Sequence, residues 1–188
     1  MNTKLTTAEM GRMNIDQYKE ADKLPLVVVL DNIRSQHNVG AVFRTADAMR
    51  INRVLLCGIC CCPPNQEIHK TALGAEESVE WQYYKETTDA VKALQAEGYT
   101  VYAVEQAHNS VTLEEMVDQI ILNCQSSIHK LAVVFGHEVF GVQQSVIDIC
   151  QGCIEIPQYG TKHSMNVSVT AGIVMYRLAS SLRHETRK

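Results

Sequence analysis

The sequence predicts an α/β fold, a mainly parallel sheet with helices on both faces, and three observations carry that expectation. Short β-branched runs alternate with segments of helical period along the chain. Two of those runs, residues 26–30 and 131–135, are apolar at every position, as strands covered on both faces are. The loops after them are polar and bear glycine, the pattern of a sheet that binds ligands outside the carboxyl ends of its strands.

The elements follow in order. Thr6-x-x-Glu9 has capping-box spacing, and Met10, Met13 and Tyr18 fall on one face of a short leader helix that ends before Pro25. Residues 26–30 form the first strand, 41–50 a helix and 53–57 a second strand. A Pro63-Pro64-Asn65 loop leads into a helical patch at 68–76. Thr88 is placed to cap a helix over 89–97 that stops at Gly98, and 99–104 is a strand. Residues 113–116 begin a helical turn, 131–135 is a strand, 143–149 a helix and 153–156 a strand. A long helix over 165–184 closes the chain, with Ser164 as a good N-cap. With 188 residues and no repeat or linker, one domain over 25–188 behind a leader of 1–24 is expected.

Composition narrows the function. Hydrophobic residues make up 46% and charged residues 20%, and no run approaches the ~18 apolar residues of a membrane span. Seven cysteines, an odd number with three adjacent at 60–62, and no secretory signal point to free thiols in a reducing cytoplasm. Cys57-x-x-Cys60 and Cys150-x-x-Cys153 have the spacing of zinc half-sites. Cys57 and Cys153 fall in strands, however, where free Cys behaves as a small hydrophobe, and no metal is expected. A net charge of −4 excludes a protein that coats nucleic acid nonspecifically but not one with a local basic patch.

Three strand ends carry the candidate chemistry. The first segment contains Asn38, Gly40 and Arg44; Asn38 and Gly40 are placed at a helix start, where free backbone N–H groups favour an anion. The second runs Phe135-Gly136-His137-Glu138, where Gly136 allows close approach of a ligand and Glu138 supplies a carboxylate. The third runs from Ile156 to Asn166 through Lys162, His163, Ser164 and Met165. Each has a plainer explanation as a solvated arginine, a helix N-terminal acid or a cap. There is no Gly-x-Gly-x-x-Gly, Walker loop, His-Glu-x-x-His or Gly-x-Ser-x-Gly, which leaves a dinucleotide or nucleotide-triphosphate domain unsupported.

In this order, Asn38-x-Gly40-x-x-x-Arg44, Phe135-Gly136-x-Glu138-x-x-Gly141-Val142 and Ile156-Pro157-x-x-Gly160-x-x-x-Ser164-Met165-Asn166-Val167-Ser168-Val169 resemble the three motifs of the SpoU/TrmH family, in the SPOUT superfamily of RNA methyltransferases. Lys70-Thr71-Ala72-Leu73-Gly74-Ala75 is similar to a further stretch of that family. The resemblance implies a deep C-terminal trefoil knot, S-adenosylmethionine as cofactor, a homodimer, and methyl transfer to a ribose 2′-hydroxyl in RNA. It places Asn38, Arg44, Glu138, Ser164 and Asn166 at the catalytic centre, and Phe135, Gly136, Ile156, Ser164 and Met165 around the cofactor. A guanidinium is too weak an acid to act as a base near neutrality, so Arg44 is expected to clamp phosphate and developing alkoxide, oriented by a bidentate pair with Glu138. Arg34, Arg50, Arg53, Lys70, Lys162 and His163 flank the loops as RNA contacts. No separate substrate-binding domain is expected, so the leader, Arg183, Arg187, Lys188 and a dimer groove would select the RNA, a guanosine of tRNA by analogy with members of this size. Base methylation, an rRNA substrate and a knotted RNA-binding module without catalysis stay open as alternatives.

Overall fold

The computed structural model describes residues 2–6, 8–122 and 130–185; Cys124, Arg187 and Lys188 lie outside them. Its centre is a seven-stranded sheet, every adjacent pair parallel. In chain order the strands are β1 (Leu24–Asp31), β2 (Ile51–Cys57), β3 (Glu80–Tyr84), β4 (Thr100–Val104), β5 (Val111–Thr112), β6 (Leu131–Phe135) and β7 (Gly152–Glu155). In space they run β3-β2-β1-β6-β4-β7-β5. The helices between them are α1 (Ile15–Glu20), α2 (Gln36–Met49), α3 (Gln66–Ala72), α4 (Ala75–Ser78), α5 (Thr87–Ala96), α6 (Leu113–Leu122), α7 (Gln144–Ile147) and α8 (Val167–Glu185).

Strand alternation splits the core into two layers. Leu26, Val28 and Leu30 of β1 face α2, α6 and α8, whose Phe43, Val117, Val174 and Leu178 are also fully covered. Val27 and Val29 face the opposite layer, with Val91 and Leu94 of α5 and Val146 of α7. All five residues 26–30 have 0% exposure, which is why this run lacks polar positions.

Several boundaries differ from the sequence-based expectation, each for a local reason. The leader helix is confined to Ile15–Glu20, where Asn14 and Gln17 form the capping box; Thr6 and Glu9 do bond reciprocally, but only around a turn. Met10 and Met13 are exposed, and only Tyr18 reaches the core. Helix α2 starts five residues earlier than the expected 41, capped by Ser35, whose Oγ accepts from Asn38 N at 3.3 Å. Glu86, not Thr88, is the residue before α5. The last helix is capped by Asn166, not Ser164: Asn166 Oδ1 accepts from Ser168 N at 2.9 Å and Val169 N at 3.4 Å. Strand β3 was not expected at all; it is the sheet edge, exposed along most of its length, and carries no apolar alternation.

Candidate active site

The carboxyl ends of β1, β4, β6 and β7 bring the three sequence segments together. Between them lies a cleft of about 1250 Å³ whose walls include Phe135, Gly136, Glu138, Ile156, Ser164 and Met165. It is roomy enough for a nucleoside-sized ligand with space to spare. Phe135 is only 1% exposed, so it offers the cleft mainly backbone.

At the mouth of this cleft a chain of hydrogen bonds joins all three segments. Glu138 Oε1 accepts from Ser35 N at 2.9 Å and Asn38 Nδ2 at 3.1 Å, while Oε2 accepts from Arg34 N at 3.1 Å. Asn38 Oδ1 in turn accepts from Asn166 Nδ2 at 3.2 Å. Asn166 completes the chain as the cap of α8. Partial burial works to raise the Glu138 carboxyl, but hydrogen bonds from the backbone of Ser35, Glu138 itself and Arg34, and from the Asn38 amide, outweigh it and hold the group below the ordinary glutamate range. Glu138 is therefore a fixed anion near neutrality and a poor general base.

Two expectations about these residues change. Glu138 spends its acceptors on the first loop and does not pair with Arg44; Arg44 is exposed on α2 and has no hydrogen-bond or ion-pair partner among the described residues. Asn38 and Gly40 lie inside α2 and form no free anion-binding helix start. Gly40 is required by packing: a Cβ there would sit 2.2 Å from Thr71 Oγ1 and 2.3 Å from Ile68 O of α3. Gly136 is likewise required by its own turn, since a Cβ would lie 2.1 Å from both Gly141 C and Val142 N. His137 and Gly141 exchange backbone hydrogen bonds across that turn, and Gly141 adopts φ +68°.

The proposed RNA contacts separate into two groups. Arg34, Lys162 and His163 are exposed on the loops at the cleft, and Gln106 Nε2 donates to His163 O at 2.9 Å. Lys70 on α3 bonds Glu67 at 2.6 Å, which also holds His37 at 3.0 Å. Arg50 and Arg53 lie away from the cleft. Arg50 ends α2 and Arg53 begins near the amino end of β2, where it pairs with Glu97; the 14-residue α2 puts about 20 Å between its two ends. Arg183 is turned back onto the body of the fold, donating to Met49 O at 2.8 Å.

Other residues supporting the site were not singled out from sequence. Asp31, fully buried at the end of β1, accepts from Gln143 N at 2.9 Å, Gln143 Nε2 at 2.8 Å, Thr87 Oγ1 at 2.6 Å and Asn32 Nδ2 at 2.9 Å. Glu105, one residue past β4, accepts from Val142 N at 3.0 Å. The two carboxylates thus grip consecutive N–H groups at the exit of the second motif. The cysteine segment props up the first loop: Cys60 Sγ accepts from Ile33 N at 3.1 Å and donates to Leu30 O at 3.3 Å, and Cys61 Sγ takes Gln36 Nε2 at 3.1 Å. Burial pushes the Cys60 thiol up to about 11, which keeps it protonated as that donor. The available signal was an acid at the carboxyl end of four strands, Asp31, Glu105, Glu138 and Glu155.

A parallel sheet with a polar cleft at its carboxyl edge defines an α/β protein that binds its ligand between strand-end loops. Comparison with known proteins gives the family. The profile of the SpoU rRNA Methylase family matches residues 25–176, and the chain belongs to that family. It is 31% identical over 160 residues to the 23S rRNA (guanosine-2′-O-)-methyltransferase RlmB of Neisseria meningitidis serogroup B, covering 85% of this chain and 60% of the relative. A Staphylococcus saprophyticus protein named for the TrmH family of tRNA/rRNA methyltransferases is 29% identical over 164 residues, covering 87% of this chain and 62% of the relative. The chain thus spans about three fifths of the length of these relatives. The fold matches the TrmH/SpoU tRNA modifying enzyme of A. aeolicus with TM-score 0.77 at 22% identity, covering 92% of this chain and 82% of that one. It also matches an AdoMet-bound rRNA methyltransferase from Sinorhizobium meliloti with TM-score 0.71 at 23% identity, covering 90% and 59%.

Proposed function

We propose that this chain is an S-adenosylmethionine-dependent RNA methyltransferase that modifies a ribose 2′-hydroxyl. The observation that carries the reading is the Glu138–Asn38–Asn166 junction, which ties the three family motifs together at the mouth of one cleft. The cleft suits the cofactor. Ile156 and Met165 give an apolar wall for adenine, and the backbone around Phe135, Gly136 and Ser164 gives the polar contacts such a slot needs. The bound cofactor supplies an activated methyl group. The protein's task is then to align the 2′-oxygen with it, because displacement depends on near-attack geometry. Asn38 and Asn166 hold the loops in register. Arg44, exposed and without a partner among the described residues, is available to neutralise a phosphate and the charge developing on the 2′-oxygen. Arg34, Lys162 and His163 extend that contact along the RNA, with Lys70 weakened by its pairing to Glu67.

The insertion of β7 between β4 and β5, which are consecutive in the chain, supports a threaded C-terminal region of the knotted kind. A homodimer is supported by Val169, Ile173 and Tyr176, which form an exposed apolar stripe on α8. Among the described residues no helix is long and apolar enough to cross a membrane.

A tRNA guanosine is the substrate we favour, since the A. aeolicus tRNA enzyme is matched over most of its own length. The meningococcal relative favours a second reading, a guanosine of 23S rRNA. Methyl transfer to bulk tRNA and to rRNA, assayed separately, with mass spectrometry of the digested nucleosides, decides between them. Label on ribose in tRNA is the expected result; label on a base, or none on either RNA, would overturn the proposal.

A further inference from the structure

The charge of the cleft wall points to how cofactor and product are told apart. Three carboxylates face it, Glu105, Glu138 and Glu155, and its walls include no Lys or Arg among the described residues. The other ionisable groups there are His108, His137, His163 and the Cys153 thiol. His137 Nδ1 accepts from Val139 N at 3.0 Å, and burial raises the Cys153 thiol, which stays neutral. Among the described residues the wall thus carries three carboxylates and no lysine or arginine to balance them.

The three acids are not equivalent. Glu138 is committed to the first loop by its three donors. Glu155 Oε2 takes the Ser110 hydroxyl at 2.7 Å. Glu105 accepts two backbone N–H groups, Gln106 at 2.9 Å on Oε1 and Val142 at 3.0 Å on Oε2, and a carboxylate has about four acceptor sites. Its Oε2 also lies so close to Gly141 that a Cβ there would approach to 2.1 Å. Glu105 is thus a fixed carboxylate against the second-motif turn, with acceptor capacity left over.

Resting on the proposed use of S-adenosylmethionine, we infer that this cleft prefers the cationic cofactor over its neutral product, and that Glu105 sets the preference. The amino acid end of the cofactor is a zwitterion, so its net positive charge is the sulfonium. On transfer the S–CH3 bond breaks with its electron pair remaining on sulfur, the O–CH3 bond forms, and the 2′-hydroxyl proton leaves to solvent. S-adenosylhomocysteine is then uncharged overall and loses its attraction to the wall, which favours release. The same acids repel RNA phosphate, keeping the polyanion at the mouth with Arg34 and Lys162.

Calorimetric titration of the full chain with S-adenosylmethionine, sinefungin and S-adenosylhomocysteine tests this without turnover. Sinefungin carries an ammonium group where the sulfonium stands. At low salt, both cations are expected to bind about 10-fold or more tighter than the neutral product, the scale of one close charge pair at intermediate dielectric. Glu105→Gln keeps the size and an acceptor for Val142 N and is expected to bring the ratio close to parity. Glu155→Gln is expected to change it less. Should Glu105→Gln fail to fold by circular dichroism, the wild-type ratio still decides, because about 1 M salt must compress it by screening. Equal or tighter binding of the neutral product by the wild type overturns the inference while leaving the enzyme reading intact. An undiminished ratio in Glu105→Gln does the same. Failure of all three ligands to bind overturns both.

Discussion

Asn38 is the residue through which the candidate site is held together, since its amide donates to Glu138 and accepts from Asn166. Glu138 is the anion on which the first loop hangs, so its replacement by Gln sets an amide donor against backbone N–H donors. A loss of about 1–3 kcal/mol is expected near neutral pH from the unmet groups. The sign of the pH dependence follows from the lowered carboxyl: its contribution is complete above the unfolded value of about 4.3 and fades as pH falls through the lower folded value. Urea midpoints of wild type and Glu138→Gln should therefore differ at pH 7 and converge in acid; a gap that persists below that range would refute the assignment. Arg44 is read differently, through chemistry and not stability. Arg44→Ala is expected to cut methyl transfer about 100-fold or more while leaving cofactor affinity unchanged, and Arg44→Lys should not restore it, because an ammonium lacks the planar fork. The identities of these residues were legible from motif spacing. Their partners were not: Glu138 and Asn38 are a hundred positions apart, and nothing local favours Asn38 over Arg44 as the partner of that carboxylate.

At the scale of elements, legibility tracks burial. β1 and β6 announce themselves because their runs at 26–30 and 131–135 are covered on both faces and apolar throughout. β3 stayed hidden because an exposed edge imposes no such pattern. The start of α2 was misplaced because Asn38 and Gly40 are weak helix formers, and only contact with α3 explains why a glycine is used inside the helix. That contact makes a prediction. Gly40→Ala improves intrinsic helix propensity by about 1 kcal/mol, yet its methyl would press on the backbone carbonyl of Ile68. Overpacking costs about 1–3 kcal/mol or more, so the net effect should be destabilising, and α3 should be displaced from α2. Thermal unfolding of the variant decides; an unchanged or raised midpoint would show that the two helices separate freely.

For the molecule as a whole, α8 is the element whose chemistry exceeds what one chain uses. Its inner face, Ala171, Val174, Met175, Leu178 and Leu182, is fully buried against α2 and the sheet. Its outer face carries Val169, Ile173 and Tyr176 at i, i+4 and i+7, with exposures of 53%, 39% and 61%. A helix apolar on two faces fits a second partner, and a second copy of this chain is the partner consistent with the proposed dimer. The cleft wall is built by the loops after β4, β6 and β7, whereas Arg44 is exposed on α2 and has no partner among the described residues. Separating the subunits should therefore divide the two functions. Ile173→Glu, a change at an accessible site that leaves the inner face intact, is expected to sediment as a monomer where the wild type sediments as a dimer. It should keep S-adenosylmethionine affinity and lose methyl transfer to RNA. Normal turnover by a demonstrated monomer would place every catalytic group within one chain, and a wild type that is itself monomeric at micromolar concentration would leave α8 facing water for some other reason.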